Sequence, residues 1–177
     1  MSTLQPIEHY DQAATLRREH FLAKYAHPFL VQAIGTVQTI DPDRRDDLTT
    51  DRLIVEGPRR ALHEAMLVAE IRARDPGQDL VTIGVAQSCD VMLDDLSVSK
   101  RHAWFEELDG AWRIWDADSS AGTQVNNDPV QPGYPRPLAS GDRITLGYVE
   151  MMFFASDGFY DLIHSLFANQ AGARSSR

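Results

Sequence analysis

Cysteine is nearly absent: Cys89 is the only one in 177 residues. A single thiol excludes an intrachain disulfide, and a chain that does without staples fits a reducing, cytoplasmic setting. Long apolar runs are missing too. The longest, Met151 to Ala155, suits a buried strand and falls far short of the roughly 20 residues that cross a bilayer. The first residues, Met1-Ser2-Thr3-Leu4-Gln5-Pro6, lack the basic region and apolar stretch expected of a secretion signal. Positive charge is scarce, with 17 Lys and Arg against 26 Asp and Glu and a net charge of −9. Residues 81–177 hold 7 cations and 13 carboxylates, so no basic footprint for nucleic acid or an anionic membrane is present. The chain has no glycine-rich phosphate loop, no His-Glu-x-x-His and no Gly-x-Ser-x-Gly. No catalytic residue, metal ligand or cofactor is therefore assigned, and the protein is read as a non-enzyme.

The hydrophobic share of 43% is enough for one globular core, and the length suits one domain with extensions. Residues from Pro6 to Tyr25 are predicted as a helix. Pro6 suits a first helical position, and Ile7, Tyr10, Ala14, Phe21 and Tyr25 recur near helical spacing, with Arg17 interrupting the stripe. That stripe either docks a partner or, as surface helices usually do, packs on its own domain. His27-Pro28 ends the helix, and Phe29 to Ile34 reads as a strand closed by Gly35.

Thr36 to His63 is the least patterned stretch. Leu53-Ile54-Val55 is a candidate short strand between two charged clusters. The acidic run at Asp41-Pro42-Asp43-Arg44-Arg45-Asp46-Asp47 fails the calcium-loop pattern, because Arg45 and Asp46 fill the third-ligand and glycine positions. A solvated mixed-charge loop is the expectation, with the arginine pairs Arg44-Arg45 and Arg59-Arg60 as possible partner contacts.

From Ala65 the texture is all-β. Ala65 to Ala73 alternates, placing Met66, Val68 and Glu70 on one side and Leu67, Ala69 and Ile71 on the other. Asp75-Pro76-Gly77-Gln78 is a turn, and Leu80 to Ile83 is predicted as the returning strand of a hairpin. His102 to Leu108 and Ala111 to Trp115 pair across Asp109-Gly110, a type I′ signal. Ser140-Gly141-Asp142 precedes Arg143 to Leu146, and Gly147-Tyr148 leads into Val149 to Phe154. Short strands at this spacing make a sandwich or barrel. A closing helix is predicted from Ser156 or Asp157 to Phe167, followed by a frayed polar tail. Trp104, Trp112 and Trp115 sit on the hairpin. Trp104 must face away from Phe105, and Trp112 away from Trp115, so one of the three is a candidate contact surface.

Several ordered motifs lie in this region. Gly84 ends a strand, Cys89-Asp90-Val91 follows, and then come Ser99-Lys100-Arg101-His102, the block Asp116 to Asn126, and Leu138-Ala139-Ser140-Gly141-Asp142-Arg143-Ile144-Thr145-Leu146-Gly147. Together these resemble a forkhead-associated (FHA) domain, a β-sandwich that reads phosphothreonine. The resemblance covers Ala65 to Phe154 and reaches back to the strand at Phe29. It implies an all-β fold of two antiparallel sheets with an N-terminal and a short C-terminal helix. The expected division is an extension over 1–26, the sandwich over 27–155 with an insertion at 36–63, and a helix and tail over 156–177.

The resemblance also implies a site. Loops at one end of the sandwich would bind a phosphopeptide through Ser99, Lys100, Arg101, Ser120 and Asn126, supported by Gly84, His102, Gly122 and Thr123. His102 would prop the loops through backbone hydrogen bonds, and Cys89 would be structural. Two positions depart from the family pattern. Val85 stands where an arginine holds the phosphate, and Ala121 stands where an asparagine holds the peptide backbone. A hydrogen bond to a charged group is worth about 1.5–3 kcal/mol, so losing the arginine costs about ten- to a hundredfold in affinity. Asp94, Asp95 and Asp118 add repulsion. The sequence therefore points to a protein-interaction module with little or no dependence on phosphate. The alternatives are a working phosphothreonine reader that uses Ser99 with Lys100 or Arg101, and a structural subunit that assembles through its extra segments.

Overall fold

The structure is a computed structural model that describes residues 3–33, 66–75 and 77–173. Two sheets face each other across one core. The first orders its strands β1-β3-β2-β12-β11-β8-β9 and the second β10-β7-β6-β4-β5. The strands are β1 (Gln5–Pro6), β2 (Phe29–Ala33), β3 (Met66–Glu70), β4 (Leu80–Gly84), β5 (Val91–Met92) and β6 (Ala103–Leu108). They continue as β7 (Ala111–Asp116), β8 (Thr123–Val125), β9 (Asp128–Pro129), β10 (Arg136–Pro137), β11 (Arg143–Leu146) and β12 (Val149–Phe154). The β4–β5 pair is parallel and the other pairs are antiparallel. An FHA-like β-sandwich is the fold.

Alternation along the strands builds the core. Val81 and Ile83 of β4, Phe105 of β6 and Ile114 of β7 turn inward onto Leu30, Ala69, Ile144 and Phe153 of the other sheet. Each such side chain contributes about 1.5–3 kcal/mol on burial. The β6–β7 hairpin has the expected register, with Leu108 opposite Ala111. Asp109 and Gly110 both take positive φ, 54° and 74°, as a type I′ turn requires.

The first sheet is covered on both faces, which explains why Phe29, Leu30 and Val31 are buried in succession. Phe29, Val31, Met66 and Val68 point outward into a second cluster with Ile7, Tyr10, Phe21, Phe159 and Ile163. Phe29 stacks on Phe159 with ring centroids 3.9 Å apart. The N-terminal stripe thus packs on its own chain, and the face assignment within Met66–Ile71 holds.

Three expectations are corrected. The N-terminal segment is not one helix from Pro6 to Tyr25. It holds the β1 bridge, two 3-10 turns at Ile7–Tyr10 and Ala13–Thr15, and the seven-residue helix α1 (Arg18–Lys24). Leu16 and Arg17 are extended, with ψ of 151° and 144°, so the chain leaves helical geometry where Arg17 breaks the stripe. Second, the Asp75 turn forms, with the Gln78 amide donating to the Asp75 carbonyl at 3.0 Å, but it joins no hairpin. β3 belongs to the first sheet and β4 to the second, so the connection between them leads from one sheet to the other. Local alternation cannot tell a hairpin from such a crossing. Third, the closing helix α2 runs Ser156–Ala173, past the expected end at Phe167. The Thr36–His63 readings, the candidate strand and acidic loop included, lie outside the described residues, as do Ile34 and Gly35.

Candidate functional site

The loops following β4, β5 and β7 and the β11–β12 turn meet at one end of the sandwich, forming a crown. Its frame is backbone hydrogen bonding around Gly84. The Val85 amide donates to the Ser99 carbonyl at 3.1 Å, and the Ala86 amide to the Lys100 carbonyl at 3.0 Å. A Cβ on Gly84 would lie 2.4 Å from the Lys100 carbonyl oxygen, so only glycine allows this approach.

His102 is fully buried beneath the crown. Its Nδ1 accepts the Ser99 amide at 3.0 Å, so the ring proton sits on Nε2, which donates to the Gly122 carbonyl at 3.1 Å. Burial holds its pKa below the ordinary 6.5, which keeps the imidazole neutral for both bonds. The same Gly122 carbonyl accepts the Gly147 amide at 3.1 Å. One side chain thereby ties the Ser99 loop to the β7–β8 loop, and Gly122 ties both to the β11–β12 turn.

Asp116 anchors the β7–β8 loop. It is buried, and accepts the Ser119 amide at 2.9 Å, the Ser119 hydroxyl at 2.7 Å and the Thr123 hydroxyl. Burial opposes its ionisation, but the bonds from Thr123 and Ser119 outweigh it and hold the carboxyl below the usual range. Asp90 is held low against burial in the same way, by the Arg74 amide and by the Thr82 hydroxyl and amide.

The sequence-predicted residues now have positions. Ser99 and Ser120 come together, the Ser120 amide donating to Ser99 Oγ at 3.0 Å. No hydrogen bond from the Ser99 hydroxyl to another described residue accompanies it. Lys100 and Arg101 follow on the exposed rim, and neither forms an ion pair among the described residues. Gly84, His102, Gly122 and Thr123 form the frame already given. Asn126 is not brought to the crown. It lies at the far end of β8, roughly 13 Å along the strand from Gly122 at about 3.3 Å per residue. There its Nδ2 donates to Asp142 Oδ1 at 2.7 Å and its Oδ1 accepts the Arg143 amide at 2.9 Å. Val85 is half-buried with its side chain on the core, and Ala121 is exposed. Cys89 is buried, its thiol donating to the Lys100 carbonyl at 3.2 Å, and burial pushes its pKa up, the opposite of an activated nucleophile.

Sequence reasoning missed one part of the crown. Leu96 is 107% exposed and Tyr148 89% exposed. Ser97 joins their loops, its Oγ accepting the Tyr148 amide at 2.9 Å and donating to Asp95 Oδ1 at 2.6 Å. The Asp95-x-Ser97 spacing was the available signal, since an Asp side chain often caps the amide two residues on. Of the tryptophans, Trp104 and Trp115 stack on the outer face of the second sheet, centroids 5.7 Å apart. Trp112 packs at the core margin.

Known proteins resemble this chain over part of its length. Residues 81–147 match the family model for the FHA domain. The oxoglutarate dehydrogenase inhibitor of Corynebacterium diphtheriae is 38% identical over 72 residues, 41% of this chain and 48% of that protein. The glycogen accumulation regulator GarA of Mycolicibacterium smegmatis is 36% identical over 76 residues, 43% of this chain and 46% of that protein. The matches thus span about half the length of these curated relatives. Among solved structures, the FhaA FHA domain complexed with the intracellular domain of Rv3910 is 34% identical. It has a TM-score of 0.40, over 46% of this chain and 87% of that one. The N-terminal FHA domain of S. cerevisiae Rad53p, in complex with a phosphothreonine peptide, is 24% identical. Its TM-score is 0.45, over 54% of this chain and 89% of that one. Residues 81–147 are thus similar to an FHA domain.

Proposed function

We propose that this chain is a non-enzymatic protein-interaction module whose crown binds a partner segment without depending on a phosphate. The observation that carries the reading is Val85. At the position of the family's phosphate-holding arginine stands an aliphatic side chain, turned onto the core. Ala121, in place of the asparagine, offers no polar side-chain atom. Beside its exposed charged residues, Lys100 and Arg101 among them, the crown also presents two apolar side chains, Leu96 and Tyr148, held beside the Ser99 loop by Ser97. The names of the curated relatives, an inhibitor and a regulator, support a role in controlling another protein.

A gain-of-function variant tests this. Val85→Arg is expected to create a preference of about tenfold or more for phosphothreonine peptides over their unmodified counterparts, on a peptide array, since one charge-assisted bond is worth about 1.5–3 kcal/mol. The unaltered chain would show no comparable preference. A strong phosphate preference in the unaltered chain that Ser99→Ala abolishes would overturn the reading. That result would favour the second one, a phosphothreonine reader in which Lys100 or Arg101 swings onto the phosphate. The support for it is the pairing of Ser99 and Ser120 beside two cations without ion-pair partners among the described residues.

A further inference from the structure

The crown loop that carries Leu96, Ser97 and Ser99 begins where β5 ends. β5 is an edge strand of two residues, and within its sheet it pairs with β4 alone. The Leu93 amide continues that pairing, donating to the Gly84 carbonyl at 3.0 Å. The next three amides, of Asp94, Asp95 and Leu96, donate to no other described residue. Bonding resumes at Ser97, whose amide donates to Asp95 Oδ1 at 2.8 Å, and at Val98, whose amide donates to the Asp95 carbonyl at 3.1 Å. Leu93 and Val98 are both buried. The exposed Leu96 thus stands on a turn held from its flanks, and one flank is β5.

The outer edge of β5 is held by the N-terminal segment. The Met92 amide donates to Thr3 Oγ1 at 2.9 Å, and the Thr3 amide donates to the Met92 carbonyl at 3.1 Å. The Thr3 hydroxyl also lies 3.4 Å from that carbonyl. Thr3 thus imitates one rung of a β-ladder, with its hydroxyl oxygen in the place of a carbonyl. The residues that follow are fixed to the other sheet. Leu4 packs against the core, Gln5 and Pro6 lie opposite Val68 and Leu67 of β3, and Ile7 is fully buried in the roof cluster. Residues 3–7 therefore tie the edge of the second sheet to the first. A two-residue pairing on one side alone is a marginal hold for a strand, so the Thr3 rung is a large part of what keeps β5 in place.

We propose that Thr3 is a positioning residue for the crown: its hydroxyl fixes β5 and, through Leu93, the loop that presents Leu96 and Ser99. The path runs on to the β11–β12 turn. Ser97 Oγ accepts the Tyr148 amide at 2.9 Å. A Cβ on Gly147 would lie 2.6 Å from that Oγ and 2.5 Å from the Ser97 carbonyl oxygen, so the two loops meet without slack and a shift in one displaces the other. This role rests on the crown being the binding site, and it is the same whether or not a phosphate is read there. It requires a hydroxyl at position 3, which serine also supplies and valine, of threonine's shape, does not.

Amide hydrogen exchange of the full chain, read residue by residue by NMR, tests this. Thr3→Val is expected to speed exchange at Met92, Leu93, Ser97 and Tyr148 by about fivefold, the factor that one neutral hydrogen bond is worth. The His102 and Ala117 amides, which bond to Ile83 and His102 in the frame beneath the crown, should stay within about twofold. Thr3→Ser should keep all four crown-side amides at the rates of the unaltered chain. Faster exchange at Met92 with Ser97 and Tyr148 unchanged would confine Thr3 to fastening the N-terminal segment, and would overturn the proposal. Uniform acceleration across both sheets, no change in Thr3→Val, or equal acceleration in Thr3→Ser would overturn it as well. Exchange is measured on the free chain, so failure here is distinct from failure of the phosphate-independent reading, which peptide binding decides.

Discussion

His102 illustrates how one residue sets the geometry of the crown. Its neutral ring accepts from Ser99 and donates to Gly122, so a proton on Nδ1 would break the first bond inside a buried site. Burial places its pKa below 6.5 in the folded state. The unfolded chain therefore binds a proton that the native chain refuses, and stability falls as pH drops below about 6.5, by up to about 1.4 kcal/mol per pH unit. Asp116 and Asp90, whose folded pKa values also lie low, add a second loss at more acid pH, below their ordinary 3.8. Thermal melts at pH 7 and pH 5 should show the first loss in the native chain. His102→Gln should flatten it while keeping the more acid one, and an unchanged slope in that variant would assign the effect elsewhere. His102 and Gly84 were legible because their neighbours in sequence form recognisable motifs. Asn126 was misplaced for the same reason: its motif lies near the site in sequence, but a strand carries it to the other end of the sheet.

At the scale of elements, local turn chemistry was readable and long-range pairing was not. Asp109-Gly110 specifies its hairpin because few residues take positive φ at both positions. Gly110 has open space where a Cβ would go, so Gly110→Ala tests conformation without a clash. The cost should be about 1–2 kcal/mol, the ordinary penalty of a left-handed residue with a Cβ, measured by denaturant unfolding. A neutral substitution would show that the φ of 74° is not required. The Asp75 turn looked equally firm, yet it leads from one sheet to the other. Nothing within residues 66–84 distinguishes those outcomes, because β3 finds its partners in β1 and β2 and β4 in β5 and β6. The N-terminal helix failed differently: its apolar spacing was right, but the stripe serves three short pieces that wrap a sheet.

For the molecule as a whole, the sandwich has one roofed face. Ile7, Tyr10 and Phe21 cover the outer side of the first sheet together with Phe159 and Ile163 of α2. Arg18 reaches Asp161 at 2.9 Å, but both are half-exposed and the pair adds little. Removal of residues 1–26 should therefore lower the melting temperature by several degrees and expose Phe29 and Val68 to a dye that binds apolar surface. A truncated chain with unchanged melting would mean that the roof is not needed for the sandwich. No helix among the described residues is long and apolar enough to cross a membrane. The central claim concerns the crown, and it is tested most directly by titrating the unaltered full chain with matched phosphothreonine and threonine peptides. The account predicts affinities within about threefold of each other, because Val85 supplies none of the charge-assisted bonding that separates the two by tenfold or more. A preference for the phosphorylated peptide above about tenfold, lost in Ser99→Ala, would contradict it.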